Sequence, residues 1–421
     1  MKNQSRISWS ANLRWMVWLL AAGWMLLIAV ARAQFIPLAG GHAMIGVLGL
    51  GALLVAYRQT RRRLAERQQA DAIKRVFLTG EATTVFSQGR SRGTLSSMSD
   101  TATILVISDI HFASVAEQQR REPELAVIAQ PALRLAVKAF RHFIWLRHPY
   151  AHNHLLDRFI DRAGHPDWVI GNGDYSCDSA FVGVSDDAAC ASVRECLGKL
   201  RARFGGRFQA NFGDHELGKM SLFGRQGGLR LASWRRAQDE LGLQPFWKLE
   251  VGNHVLMGVV SSLLAWPVFE PETLPEERFE WRRLREEHLT AIRGAFAVLR
   301  PEQRVWLFCH DPTALPWLWQ EEVVRRRLDQ LESTFIGHLH SDLILGKSRL
   351  LAGMPTIRFL GNSVRRMSAA LHEARHWRPF KVRLCPALAG IELFKRGGYY
   401  QVVLDLAARR PARIELIALP R

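Results

Sequence analysis

From Thr103 onward the chain repeats one pattern: a short β-rich run, polar turn residues, and in several places a helical stretch before the next run. The runs are Ile104–Ile107, Trp168–Ile170, Phe208–Asn211, Val255–Val260, Val305–Phe308, Thr334–Ile336 and Ile357–Leu360. Strands interleaved with helices predict layers of sheet and helix around a shared core. The stretch GIELFKRGGYYQVVLDL near the end reads as an added hairpin turning at Gly397-Gly398. The expected fold is therefore α/β, a layered β-sandwich flanked by helices.

Five of these runs end in a carboxylate, an imidazole, or both. Asp109 and His111 follow the first, Asp174 the second, and Asp214, His215 and Glu216 the third; His310 follows Val305–Phe308, and His338 and His340 follow Thr334–Ile336. In open α/β sheets, ligands bind beyond the carboxyl ends of the strands, so loops far apart in sequence can converge there. A mixed Asp/His set without thiolates suits borderline divalent metals such as Mn, Fe or Zn. It offers more ligands than one tetrahedral site needs, which points to two metals.

The order Asp109-Ile110-His111, Gly173-Asp174, Gly213-Asp214-His215-Glu216, His310 and Gly337-His338-Leu339-His340 resembles the calcineurin-like metallophosphoesterase family, over about residues 103–405. The resemblance implies that Asp109, His111 and His340 hold one metal, that Asp174 bridges, and that Asp214, His310 and His338 complete the second. It implies that His215 binds no metal and stabilises or protonates the leaving group during in-line hydrolysis. Glu216 is read as orienting His215.

One departure stands out. Asp214 occupies the place where the family usually has Asn, adding a negative charge that would disfavour a phosphate dianion. A second copy of the usual motif, Gly252-Asn253-His254, lies between two strand-like runs and reads as a hairpin turn. His142, His148, His152, His154 and His165 read as surface or helix positions, Asp178 as a turn residue or a support behind the ligands, and His372 and His376 as solvent-paired.

The N-terminus has a different character. Two apolar runs, Trp15 to Ala31 and Phe35 to Tyr57, predict a transmembrane helical hairpin, with a cleaved signal peptide ending near Ala31-Arg32-Ala33 as the alternative. Lys2, Arg6 and Arg14 precede it and Arg58, Arg61, Arg62, Arg63 and Arg67 follow, which places both ends in the cytoplasm. The expected organisation is a membrane anchor over 1–75, a linker over 76–102 and a metallophosphoesterase domain over 103–421, at the inner (plasma) membrane. The net charge is +18, and half of it lies in residues 1–75, so the excess reflects membrane orientation and no nucleic-acid partner is expected. Five cysteines without a C-x-x-C pair argue against a disulfide framework or zinc ribbon.

Between His111 and Gly173, Leu133, Val137, Phe140 and Ile144 share one helical face, and Arg134, Lys138 and Arg141 the adjacent one. That helix either packs on the domain or lies in a membrane interface. The expected enzyme is a membrane-anchored hydrolase of phosphate ester, phosphodiester or pyrophosphate bonds, with a phosphorylated, lipid-linked substrate as the favoured class. A phosphodiesterase on a soluble substrate and a non-catalytic metal-binding scaffold are the alternatives.

Overall fold

A computed structural model describes residues 100–120, 122–221, 226–358 and 362–421. The two apolar runs of the expected hairpin lie outside the described residues. Among the described residues, no helix is long and apolar enough to cross a membrane.

Two five-stranded sheets stack face to face. The first has the order β10-β9-β1-β2-β3 and the second β4-β5-β6-β7-β8. Strands β1 (Thr101–Ile107), β2 (Trp168–Gly171) and β3 (Phe208–Ala210) run parallel, with β9 (Arg396–Asp405) antiparallel to β1 and β10 (Arg413–Pro420) antiparallel to β9. In the second sheet β5 (His254–Val259), β6 (Arg304–Cys309), β7 (Leu331–Ile336) and β8 (Val382–Leu384) are parallel, and β4 (Phe246–Val251) pairs antiparallel with β5.

The strands alternate with period two between two apolar surroundings, as the pleat requires. Ile104 and Val106 face the layer between the sheets, together with Trp306, Phe308 and Phe335; Leu105 and Ile107 face a helix-covered outer core. Val305, Leu307 and Cys309 do the same on the far side of the second sheet. Burial on both faces explains why these strands read as unbroken apolar runs rather than as alternating ones. The long covering helices are labelled α1 (Pro131–Phe143), α2 (Asp187–Phe204) and α4 (Arg278–Ala297); α3 (Asp214–Leu217) is a single turn.

Two strand expectations are corrected. Ile357 and Arg358 form no strand, and Phe359 and Leu360 lie outside the described residues. The Ile357 N–H is taken by the Ser368 hydroxyl at 2.8 Å, and the free edge of β7 is paired by β8 instead. Gly397-Gly398 is not a turn. Strand β9 runs straight through it, and its partner is β10, reached after Asp405. Glycine is needed at 397 because a Cβ would lie 1.9 Å from the Leu388 carbonyl oxygen.

Candidate metal centre

All parallel strands of both sheets end at one edge, and the loops leaving β1, β2, β3, β6 and β7 meet there. The backbone enforces the meeting. Asp109 N–H donates to Gly173 O (3.1 Å), His111 N–H to Asp174 O (3.1 Å), His215 N–H to Asp174 Oδ1 (3.0 Å), and His338 N–H to Asp109 Oδ1 (2.9 Å). Close approach is the reason for the glycine in Gly173-Asp174: its φ is +92°, and a Cβ would sit 2.5 Å from the Gly213 backbone.

Five of the seven expected ligands, Asp109, His111, Asp174, His338 and His340, adopt left-handed backbone conformations. Such residues cost about 1–3 kcal/mol each and persist where the surroundings over-determine them. Here the hydrogen bonds just described hold Asp109, His111, Asp174 and His338, and the return is convergence. Donor atoms of Asp109, His111 and His340 lie within 4.8 Å of one another, as do those of Asp214, His310 and His338. Asp174 groups with Asp109 and His310, and also with His111 and His215.

The ring orientations favour a cation. His111 Nδ1 faces Ser176 O at 3.1 Å and His310 Nδ1 faces Asn172 O at 2.6 Å. Each backbone carbonyl fixes the proton on Nδ1 and leaves Nε2 turned inward, the support usual behind metal-bound histidines. His111 Nε2 and His340 Nε2 are 3.2 Å apart, and the buried His310 Nε2 lies 3.1 Å from Asp174 Oδ2 and 3.2 Å from Asp214 Oδ1. Inward imidazole nitrogens crowded against three buried carboxylates, His340 Nε2 at 3.1 Å from Asp109 Oδ1 and His338 Nδ1 at 3.0 Å from Asp214 Oδ1, fit divalent cations.

The electrostatics agree. Burial would raise the Asp109 carboxyl, but His340, His310 and His111 outweigh it and hold it far below the usual range. Burial and Asp214 oppose ionisation of Asp174, yet His215 and His310 bring it down to about 2. Against burial, Lys219, His338 and His310 keep Asp214 well below its ordinary value. Burial, with His215 and His340 nearby, pushes His111 down to about 3, so its imidazole is neutral. Against burial, Asp214 and Asp311 raise His338 to about 9, and Asp174 and Asp109 raise His310 well above its ordinary value. The carboxylates stay charged and draw positive charge toward themselves.

The Glu216 carboxylate bonds backbone amides, not the His215 ring. It is fully buried and accepts from the backbone N–H groups of Gly213 (2.7 Å), Asp174 (3.0 Å) and Tyr175 (2.8 Å). It clamps the loop after β2 to the loop after β3. His215 Nε2 instead stands 3.4 Å from Lys219 Nζ and 3.8 Å from Asp174 Oδ2.

Asn253 and His254 lie away from these groups, with Gly252-Asn253 as the turn between β4 and β5; His254 Nε2 bonds Asp405 O and its Nδ1 accepts from Trp306. His148, His154 and His165 are exposed, and His142 and His152 half-buried. Asp178 is buried and accepts from Gly183 N–H in a turn. His372 bonds Met354 O, and His376 pairs with Glu373.

Three contributors escaped the sequence reading. Asn172 and Asn211 are fully buried and tie the sheets together, Asn172 Nδ2 donating to Phe335 O at 3.3 Å and Asn211 Nδ2 to Phe308 O at 3.1 Å. Their signal was an Asn two residues before Asp174 and three before Asp214. Trp145, just past α1, stacks on His340 with ring centroids 4.6 Å apart. The chain around it is pinned by Glu392 N–H to Trp145 O (2.7 Å) and Leu393 N–H to Ile144 O (3.2 Å). Two of the three basic residues on α1 serve the fold: Arg134 donates to Ile128 O, and Arg141 pairs with Glu124.

Buried carboxylates and imidazoles gathered at the carboxyl ends of two stacked sheets define a metal-dependent hydrolase site. Residues 102–342, more than half of the chain, match the Calcineurin-like phosphoesterase family. The chain belongs to that family and is a metal-dependent phosphoester hydrolase. Among solved structures it is similar to the phosphopantetheinyl hydrolase (PptH) from Mycobacterium tuberculosis, with 16% identity, 56% of this chain and 83% of that chain covered, and a TM-score of 0.29. That likeness is too weak to bear on substrate. No curated protein matches the chain.

Proposed function

We propose that the chain is a membrane-anchored, two-metal phosphohydrolase acting at the cytoplasmic face of the inner membrane on a lipid-linked phosphate ester or pyrophosphate. In this reading Asp109, His111 and His340 hold one divalent cation, Asp214, His310 and His338 the other, and Asp174 lies between. When bound, such a pair lowers the pKa of water and neutralises phosphate oxygens. The chain's own part is to keep three carboxylates ionised, to hold the imidazole nitrogens inward, and to seal one flank with Trp145. His215 falls outside both ligand triads and donates a hydrogen to the leaving oxygen.

The observation that carries the lipid-linked reading is the exposed side of α1. Leu133 and Val137 are buried, whereas Leu135 is 68% and Phe143 46% exposed. Leu135, Ala139 and Phe143 lie along one side at helical spacing, with Lys138 exposed beside them. An apolar stripe edged by a cation suits the boundary between headgroups and acyl chains. It ends two residues before Trp145, at the metal centre.

The test compares a pyrophosphate diester bearing one long acyl chain, in anionic vesicles, with its short-chain soluble analogue. Leu135→Ser with Phe143→Ser should lower turnover of the long-chain substrate and spare the short one. Equal effects on both would remove the lipid surface from the reading, and a wild-type preference for the short analogue would favour a soluble substrate. A reporter fused after Arg421 that is active only outside the cytoplasm would overturn the topology.

A further inference from the structure

Lys219 is the group at this edge that neither the ligand set nor the leaving-group role absorbs. It follows α3 by two residues, and its backbone N–H donates to Phe181 O at 3.2 Å. That connection turns the chain back, so Lys219 overhangs the residue five positions before it. Its Nζ lies 3.2 Å from Asp214 Oδ2 and 3.4 Å from His215 Nε2. Its side chain is 44% exposed, whereas that of Asp214 is 8% exposed. Lys219 is therefore the more exposed member of the pair, with its ammonium set against the buried Asp214 carboxylate.

The position has an electrostatic meaning. Asp214 stands where the family's motif carries a neutral Asn. The third carboxylate removes one positive charge from a two-cation centre, which weakens its hold on a phosphate dianion. Lys219 returns that charge directly beside the carboxylate that removed it. An ammonium also has three donors. Asp214 and His215 occupy two directions, and a phosphate oxygen can take another.

We propose that Lys219 is a specificity-determining residue, which offsets the charge of Asp214 and binds a peripheral oxygen of the substrate phosphate, biasing the enzyme toward groups with two negative charges. The inference rests on the two-metal reading of the site. It adds that the Asp214–Lys219 pair works as a unit equivalent to a neutral ligand, with its cation turned toward substrate. It also gives Lys219 opposite effects on two ligands. Lys219 competes with a metal for Asp214 Oδ2, and it attracts phosphate.

The experiment measures Mn²⁺ binding to the metal-depleted full chain by electron paramagnetic resonance, and inorganic phosphate binding to the Mn²⁺-loaded chain by calorimetry. Wild type is compared with Lys219→Gln and Lys219→Arg. Lys219→Gln should bind Mn²⁺ as tightly as wild type or a few-fold tighter. It should bind phosphate about ten- to a hundredfold more weakly, the span expected for one lost hydrogen bond to a charged group. Lys219→Arg should recover most of the phosphate binding. The kcat/KM of Lys219→Gln should fall more for the dianion p-nitrophenyl phosphate than for the monoanion bis(p-nitrophenyl) phosphate. Weaker binding of both Mn²⁺ and phosphate would make Lys219 a structural support and overturn the proposal. Unchanged phosphate binding would overturn it as well. A wild-type chain that takes up no Mn²⁺ would instead sink the two-metal reading on which it stands.

Discussion

Replacing Glu216 by Ala separates a clamp from a catalytic helper. In the folded chain the Glu216 carboxylate satisfies three buried backbone N–H groups, those of Gly213, Asp174 and Tyr175. A buried donor left without a partner costs about 1–3 kcal/mol. Water entering the space of the lost carboxylate recovers part of that, so the expected loss of stability is about 3–5 kcal/mol. The same change frees the loops carrying Asp174 and Asp214, so Mn²⁺ binding should weaken by at least about tenfold, the level typical of lost support behind metal ligands. Glu216→Gln keeps one acceptor oxygen and places N–H against N–H on the other side, so it should fall between Ala and wild type. Urea unfolding followed by tryptophan fluorescence gives the stability, and Mn²⁺ titration gives the affinity. Loss of turnover with stability within 1 kcal/mol of wild type, roughly the net worth of one hydrogen bond, and with unchanged metal binding, would refute the clamp. It would return Glu216 to a role through His215.

Three further outcomes are expected. His215→Ala should retain its metals and lose about 10²–10⁴-fold in turnover on a substrate with a poor leaving group, the span for general acid help; near-normal rates would place the proton donor elsewhere. Metal analysis of the purified chain after Mn²⁺ addition should find about two ions per chain, as a bridged site requires, and a result of none would remove the centre. Acid stability should depend on His288, whose ring burial, with Arg285 nearby, holds down to about 3 while its Nε2 accepts from Val260 N–H. Below pH 6.5 the unfolded chain takes up a proton that the folded chain refuses, so stability falls with pH, by roughly 3 kcal/mol between pH 6.5 and 4. His288→Gln keeps an acceptor without a titration and should flatten that slope relative to wild type, as pH-dependent unfolding can show.

Which residues gather at the strand ends was legible in the sequence, because metal chemistry restricts the residue types and strand ends restrict their places. Asp109, His111, Asp174, Asp214, His215, His310, His338 and His340 stand out from local pattern alone, and so did the strands before them, whose apolar runs reflect burial on both faces. What one-dimensional pattern lacks is any record of who meets whom across space. Gly397-Gly398 looks like a turn, yet glycine is there because the Leu388 carbonyl presses on the strand. Ile357 has the composition of a strand, but β8 had already taken the edge it would have used. Glu216 sits beside His215 in sequence and reaches three backbone amides from two loops instead. Arg134 and Arg141 look like a free basic face and are held by Ile128 and Glu124, while the exposed Leu135 and Phe143 appear only once the helix is laid on its domain. Lys219 gains its meaning from a 3.2 Å approach to Asp214 that follows from how the chain folds back after α3. The division has one physical cause: ligand identity is set by the chemistry of single side chains, whereas clamps, counter-charges and exposed faces are properties of pairs brought together by packing.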